Sequence, residues 1–453
     1  MKRNDAKRKK RPLSVSRMIA LVFIVIILIG TALLMLPAAS RNGESCGLMT
    51  ALFTSTSATC VTGLALADTW TQWSGFGQIV LLCLIEIGGL GFMSAVSTVI
   101  FLLRRRVSMQ QEMVMAQSIG SDDVGNAVRM QRRVIFGCIL TELAGALILA
   151  VRFWSEFGLL TALKLGVFHS VSAFCNAGFD ILGFIEPGSS MTVYGADPVV
   201  ILTLSALIVF GGIGFLVWDE IFRIRSPKKW SVYTKLVLIA TSALLVGGAI
   251  LFYISEWNNP ATLGGMKVHE KLLAGFFQSV TTRTAGFAGI DQGGLSDMGK
   301  SVTMFLMLIG GSSGSTAGGL KTVTFIVIVL FLWTRARGRE TVSIFNRTIQ
   351  ESHVLNALTI FGIMVGLCFI GGTVIAATSP VSFTDGLYEA VSAIATVGLT
   401  TGITPLMSIP AKLLIIIYMY FGRVGVLTIS LGFLQEKKSA QKYRYAETDL
   451  LIG

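Results

Sequence analysis

Charge, proline and histidine are all scarce in this 453-residue sequence. Charged residues make up 14% of it, against about 25% in an average soluble domain. Hydrophobic residues make up 53%, and mean hydropathy is +0.72. That balance excludes an ordinary soluble domain and indicates a membrane protein. Nine prolines beside 49 glycines exclude a proline-rich disordered chain. Six cysteines and three histidines form no CxxC and no Cys/His pair at zinc spacing. The cysteines mostly sit in apolar runs and read as small core residues, not as a disulfide framework. No P-loop occurs, HEKLL at 269–273 lacks the second His of a zinc-protease helix, and GGLGFM has no βαβ context. The chain is therefore not read as an enzyme, and no nucleotide is expected on it. His169 reads as a capping or packing residue.

What the sequence does hold is apolar runs. Eight are long enough to cross a bilayer core, which needs about 20 residues. They lie near 17–36, 77–103, 134–152, 198–222, 235–255, 300–333, 354–378 and 411–434. The first follows MKRNDAKRKKRPLSVSR and is longer than the roughly 7–15 residues of a signal-peptide core, so it reads as a spanning helix. The net charge of +12 does not point to nucleic acid. Of 37 Lys and Arg, 27 fall in five segments that share one side if the spans alternate. By the positive-inside rule both termini are cytoplasmic in a multi-pass plasma-membrane protein.

The four segments on the other side each contain a shorter apolar piece, near 44–58, 161–174, 266–281 and 381–393. Such pieces suit re-entrant half-helices, whose irregular backbone must be buried in protein or line a wet cavity. They repeat: FTSTSATCVTGL at 53–64, FHSVSAFCNAGF at 168–179, FQSVTTRTAGF at 277–287 and YEAVSAIATVGL at 388–399. Each starts on an aromatic residue. Ser57, Ser172, Thr281 or Ser392 follows four positions on, and Gly63, Gly178, Gly286 or Gly398 closes the unit. The expected fold is an all-α membrane protein of four pseudo-repeats, each helix, re-entrant pore loop, helix, around one central pore. The repeats take residues 17–103, 134–222, 235–333 and 354–434, between a basic segment 1–16 and a tail 435–453.

Four such loops meeting at an axis give a ring of backbone carbonyls, which replace the hydration shell of a cation without adding charge. Glycine tolerates the backbone angles this needs. The half-helices turn their partly negative C-terminal ends toward the ring. No ring of acids accompanies the four glycines, which favours a large monovalent ion. Arg283 is expected to brace the third loop from behind. The sixth span is interrupted by GGSSGSTAGG, Gly310 to Gly319, five of them Gly. At about 0.8–1 kcal/mol each relative to Ala, these predict a broken helix and a gate. GGLGF at 88–92, GGIGF at 211–215 and FGRVG at 421–425 are milder versions, so only the third repeat is expected to break fully. Arg423 and Glu86 lie inside apolar spans and should face protein or a wet cavity; Arg423 either reaches carbonyls of the broken segment or braces the structure.

Taken together, the four loops, GGLGFM, TTRTAGF, the Gly/Ser-rich sixth span and YFGRVG resemble the Trk/Ktr/HKT superfamily of cation transporters, from about Leu21 to Leu434. The chain is most similar to the bacterial Ktr membrane subunit. The resemblance implies potassium uptake, with sodium allowed as a second ion. It implies a homodimer in membrane lipid, paired with a cytosolic ring of nucleotide-binding regulatory subunits. Basic loops around 104–133, 222–235 and 334–347 would form part of the docking surface. The family's selectivity filter maps onto Cys60, Val61, Thr62 and Gly63; Cys175, Asn176, Ala177 and Gly178; Arg283, Thr284, Ala285 and Gly286; and Ala395, Thr396, Val397 and Gly398. Its gating loop maps onto Gly310, Gly311, Ser312, Ser313, Gly314, Ser315, Thr316, Ala317, Gly318, Gly319 and Lys321, and its loop-contacting arginine onto Arg423. Gly63, where sodium-favouring plant relatives carry Ser, points to potassium. The chain departs from its relatives at Glu86, often an amide, and at Cys60 and Cys175. The alternative is a coupled sodium/potassium symporter built on inverted repeats; two spans per repeat make these repeats parallel, which disfavours it.

Overall fold

The computed structural model describes residues 15–91 and 127–425. The basic N-terminus, most of loop 104–133, the end of the second span and the C-terminal tail lie outside the described residues. Repeat one contains α1 (Val15–Leu34), α2 (Leu48–Thr59) and α3 (Gly75–Leu90). Repeat two contains α4 (Ala127–Phe157), α5 (Leu159–Phe174), α6 (Pro198–Gly212) and α7 (Phe215–Arg223). Repeat three contains α8 (Val232–Glu256), α9 (Val268–Thr281), α10 (Asp297–Leu308) and α11 (Thr322–Ala336). A two-stranded hairpin, β1 (Ser343–Ile344) and β2 (Arg347–Thr348), leads to repeat four. That repeat contains α12 (Glu351–Thr378), α13 (Phe383–Ile394) and α14 (Ile409–Val424).

Composition explains the division of labour. The helix that opens each repeat is long and apolar all round. It presents side chains such as Leu28, Leu143, Ile254 and Phe369 to the surroundings, each more than half exposed, as a lipid-facing helix should. The half-helices α2, α5, α9 and α13 are held inside by the aromatic residue of each repeat. Phe53, Phe168, Phe277 and Tyr388 are all buried. The helix after each loop starts on a side-chain cap: Ser74, Asp197, Ser296 and Ser408 accept backbone N–H groups of the first turn, which satisfies donors that a helix start leaves free.

The breaks are not confined to the third repeat. α6 and α7 meet at 94°, with Gly214 at φ +96° between them. A Cβ there would come within 2.9 Å of the Ser313 carbonyl. The sequence expectation of a full break in one repeat alone is corrected: the GGIGF turn bends because the Gly/Ser-rich segment of repeat three lies against it. α3 ends at Gly91 (φ +81°) and α14 at Gly425 (φ +91°), at the matching positions. Among the described residues, four helices are therefore long and apolar enough to cross a membrane uninterrupted, one opening each repeat.

Candidate functional site

The loops after the four half-helices share one backbone pattern. At the end of α2, Cys60 is right-handed (φ −82°), Val61 is left-handed (φ +56°) and Gly63 is left-handed again (φ +94°). Asn176 and Gly178, Thr284 and Gly286, and Thr396 and Gly398 repeat the left-handed pair. Alternating hand lines successive peptide groups along one side of the chain. Val61, Thr284 and Thr396 are β-branched, for which positive φ is a true outlier. Each such residue costs on the order of 1–3 kcal/mol and persists where its surroundings over-determine it, typically at functional sites.

The surroundings are the hydroxyls marked in the sequence. Ser57 and Ser392 accept the N–H of Gly63 and Gly398, both at 3.0 Å. Ser172 and Thr281 donate instead to the carbonyls of Phe179 and Phe287, both at 2.7 Å. The backbone N–H groups of Thr62, Ala177, Ala285 and Val397 bond back to those same four residues, at 2.7–3.0 Å.

Glycine contacts give the order of the loops. A Cβ on Gly63 would come within 2.5 Å of the Ala177 carbonyl, on Gly178 within 2.7 Å of Ala285 O, and on Gly286 within 2.5 Å of Val397 O. On Gly398 it would strike Thr62 O. The four loops thus close a ring in chain order, with loops two and four on opposite sides. The side-chain oxygens of Thr62, Asn176, Thr284 and Thr396 are buried without a partner among the described residues, although buried polar atoms are normally paired; that of Thr396 faces Gly318 of the segment below the ring.

Above the ring lies an open cavity of about 490 Å³, here called the mouth, with the four glycines among its lining. Asp68, Asp180, Glu186 and Asp291 also line it, and among the described residues no Lys, Arg or His does. Asp180 is half-buried outside the spanning helices; burial, reinforced by the Asp68 charge, pushes its carboxyl up to about 6. Sequence reasoning missed this cluster. The available signal was that Asp68 and Asp291 each stand five residues after their loop glycine.

Below the ring, residues 310–321 fold back between α10 and α11. Gly310 N–H bonds to Leu320 O at 2.9 Å and Thr322 N–H to Gly311 O at 3.0 Å, closing the segment at its base. It touches loop two, where Asn176 Nδ2 donates to Thr316 Oγ1 at 3.0 Å and Thr316 donates to Phe174 O at 3.1 Å. It also touches loop four, where Gly318 leaves no room for a Cβ against Thr396. Loops two and four face each other across the ring, so the segment crosses the axis. Its other anchors are Ser312 N–H to Gly212 O at 2.9 Å, Phe215 N–H to Gly314 O at 2.8 Å and Tyr233 to Ser313 O at 3.0 Å. Lys321 Nζ turns back to Ala317 O at 2.7 Å. Arg283 Nη2 reaches Gly310 O at 3.2 Å and Thr322 Oγ1 at 3.0 Å. Arg423 donates to the carbonyls of Thr316 and Gly88, and to Gly89 O at 2.9 Å.

Residues 6–445 match the TrkH family model, described as a cation transport protein. The chain belongs to the TrkH family. It is 39% identical to the potassium/sodium uptake protein NtpJ of Enterococcus hirae over 99% of both chains. It is 36% identical to Ktr system potassium uptake protein B of Bacillus subtilis over 96% of both. The crystal structure of the potassium transporter TrkH from Vibrio parahaemolyticus has the same fold. The TM-score is 0.70 over 94% of this chain and 86% of that one, at 15% identity.

Four residues singled out in the sequence take particular places in this TrkH-family chain. Glu86 on α3 and Glu142 on α4 hydrogen-bond each other, and the Cys175 thiol lies 3.5 Å from Glu86. Cys60 is fully buried at the end of α2. His169 holds the second loop: its Nδ1 donates to Leu165 O at 2.8 Å, and its Nε2 accepts the Ile181 N–H at 3.3 Å.

Proposed function

We propose that this TrkH-family chain takes up potassium across the cell membrane through the ring, with the mouth outward and both termini cytoplasmic. The supporting observation is the closed ring of four loops with the same alternating backbone. Carbonyls of Cys60–Gly63, Cys175–Gly178, Arg283–Gly286 and Ala395–Gly398 would serve as the selectivity filter, stripping and replacing the water of the ion. The acidic mouth raises the local cation concentration. Residues 310–321, with Arg283 and Arg423 as fasteners, are the gate.

The chain works as a homodimer in lipid, under a cytosolic ring of nucleotide-binding regulatory subunits. The basic loops around 104–133, 222–235 and 334–347 are the docking surface; the β1–β2 hairpin presents a half-exposed Phe345 there. The Bacillus subtilis relative, named as protein B of a Ktr system, supports a multi-component assembly.

The test is potassium uptake by potassium-deficient cells expressing the chain, with and without sodium and a regulatory subunit. Uptake that the Gly63→Ser and Gly286→Ser variants leave equally selective would count against the filter. A second reading, a coupled sodium/potassium symporter, is favoured by the name of the Enterococcus relative. A fixed ion stoichiometry in reversal potentials would establish it in place of the first.

A further inference from the structure

An apolar groove of about 410 Å³ lies between α3 and α5, away from the ring and its mouth. Ile79 and Leu82 line it from one helix, and Leu163, Val167 and Phe168 from the other. Both helices descend from the mouth side. From Gly75 to Leu82 the groove therefore runs about 10 Å into the membrane, at 1.5 Å per residue. Ile79, Leu163 and Val167 are 63%, 44% and 41% exposed, so it opens sideways rather than into the protein.

At its mouth-side end stand two cations on one indole. The Arg41 guanidinium lies 4.3 Å from the centre of the Trp70 ring, and Lys164 Nζ lies 4.7 Å from it. Trp70 is fixed in turn against Phe184, ring centres 5.0 Å apart. Neither cation forms an ion pair among the described residues, which include Glu44 and Asp68 on the neighbouring loops. Lys164 itself lines the groove. Their distances to one ring centre put the two charges at most about 9 Å apart; without a carboxylate they repel each other, and an anion bound to both offsets that repulsion. Arginine and lysine are the usual partners of phosphate. A tryptophan at such a level marks the membrane interface.

We infer that this groove binds an anionic phospholipid of the mouth-side leaflet. One acyl chain lies along Ile79, Leu82, Leu163 and Val167, and the phosphate bridges Arg41 and Lys164. Charge complementarity selects the occupant, since a zwitterionic lipid would bring its own cation to a doubly cationic end.

The test uses the full chain, purified and exchanged into phosphatidylcholine nanodiscs containing one-quarter phosphatidylglycerol, with retained lipid counted by native mass spectrometry. The wild type should retain phosphatidylglycerol at least tenfold over its share of the mixture. Arg41→Gln with Lys164→Gln should abolish that enrichment and leave the thermal midpoint in pure phosphatidylcholine unchanged. Should the double variant fail to fold, Leu163→Trp reads the same question, because it fills the groove and keeps both cations; it should also lose the enrichment. Equal enrichment in wild type and either folded variant overturns the inference. So does efficient cross-linking of Ile79→Cys between two chains in the lipid-free state with no retained lipid, which would assign the groove to a second copy.

Discussion

Asn176 in the second loop and Thr316 in the broken segment are joined by a hydrogen bond of 3.0 Å, although 140 residues separate them. Thr316 also donates to Phe174 O, and its carbonyl accepts from Arg423. One residue thus fastens the crossing segment to the ring on one side and to the last helix on the other. Thr316→Val keeps the shape and removes both hydroxyl bonds. At a net of about 1 kcal/mol each, the loss shifts a closed-to-open balance about 5- to 30-fold toward open. Rubidium influx into proteoliposomes without a regulatory subunit should rise several-fold. Influx equal to wild type would show that the segment does not limit conduction.

The second prediction concerns the ring itself. Gly286 has φ +80°, and a Cβ there would approach Val397 O to 2.5 Å. Gly286→Ser must push loop four aside or twist loop three, because the obstacle is backbone and cannot rotate away. Ion-coordinating carbonyls move with it. The potassium-over-sodium flux ratio should fall about tenfold, which corresponds to about 1.4 kcal/mol of lost discrimination. Gly63→Ser should act in the same direction. A control, Gly247→Ser, meets nothing within 4 Å and should leave the ratio unchanged.

The marks that located the loops in the sequence were local. An aromatic anchor, a hydroxyl four residues on and a glycine recur because they provide, in that order, burial, stapling and left-handed backbone. The left-handed Val61, Thr284 and Thr396 were not legible, since β-branched residues argue against positive φ until the staples that force it are seen. The bend at Gly214 was hidden for another reason. GGIGF differs little from GGLGF, and the bend depends on Ser313 and Gly314 packing there from another repeat. The acidic mouth was missed because its four carboxylates come from loops of unequal length. Arg423 was legible as a charge that reaches carbonyls of the broken segment or braces the structure; its bond to Thr316 O fits the first, while Gly88 O, 335 residues away, was not legible.

Arg283 supplies the third prediction. Its guanidinium is the link from loop three to both ends of the crossing segment, at Gly310 and Thr322. Both bonds leave one nitrogen, Nη2; lysine keeps the charge, but its side chain is one atom shorter and its ammonium ends short of that position. Arg283→Lys should therefore raise basal flux about two- to tenfold. Arg283→Gln, which also removes the charge, should raise it further if the fastening is what matters. If instead the positive charge limits ion occupancy in the ring, Lys would behave as wild type and Gln alone would raise flux. The pair of variants separates bracing from electrostatics.

The mouth supplies the fourth, and here the sign follows from Asp180. Burial raises its carboxyl to about 6, with Asp68 adding repulsion. At pH 7.5 it is ionised and contributes one of the four negative charges in the mouth. As external pH falls through 6 it takes up a proton, and the mouth loses that charge. A single charge in a water-filled vestibule is worth about 0.5–1 kcal/mol to a cation a few ångströms away. The apparent KM for potassium should therefore rise about two- to fivefold between external pH 7.5 and 5, with the maximal rate nearly constant. Asp180→Asn should show the acid-side KM already at pH 7.5 and lose the step near 6. Asp291→Asn removes another charge from the lining of the mouth and should raise KM at every pH yet keep the step near 6. A step that survives Asp180→Asn would transfer the titration to another group and remove Asp180 from the account.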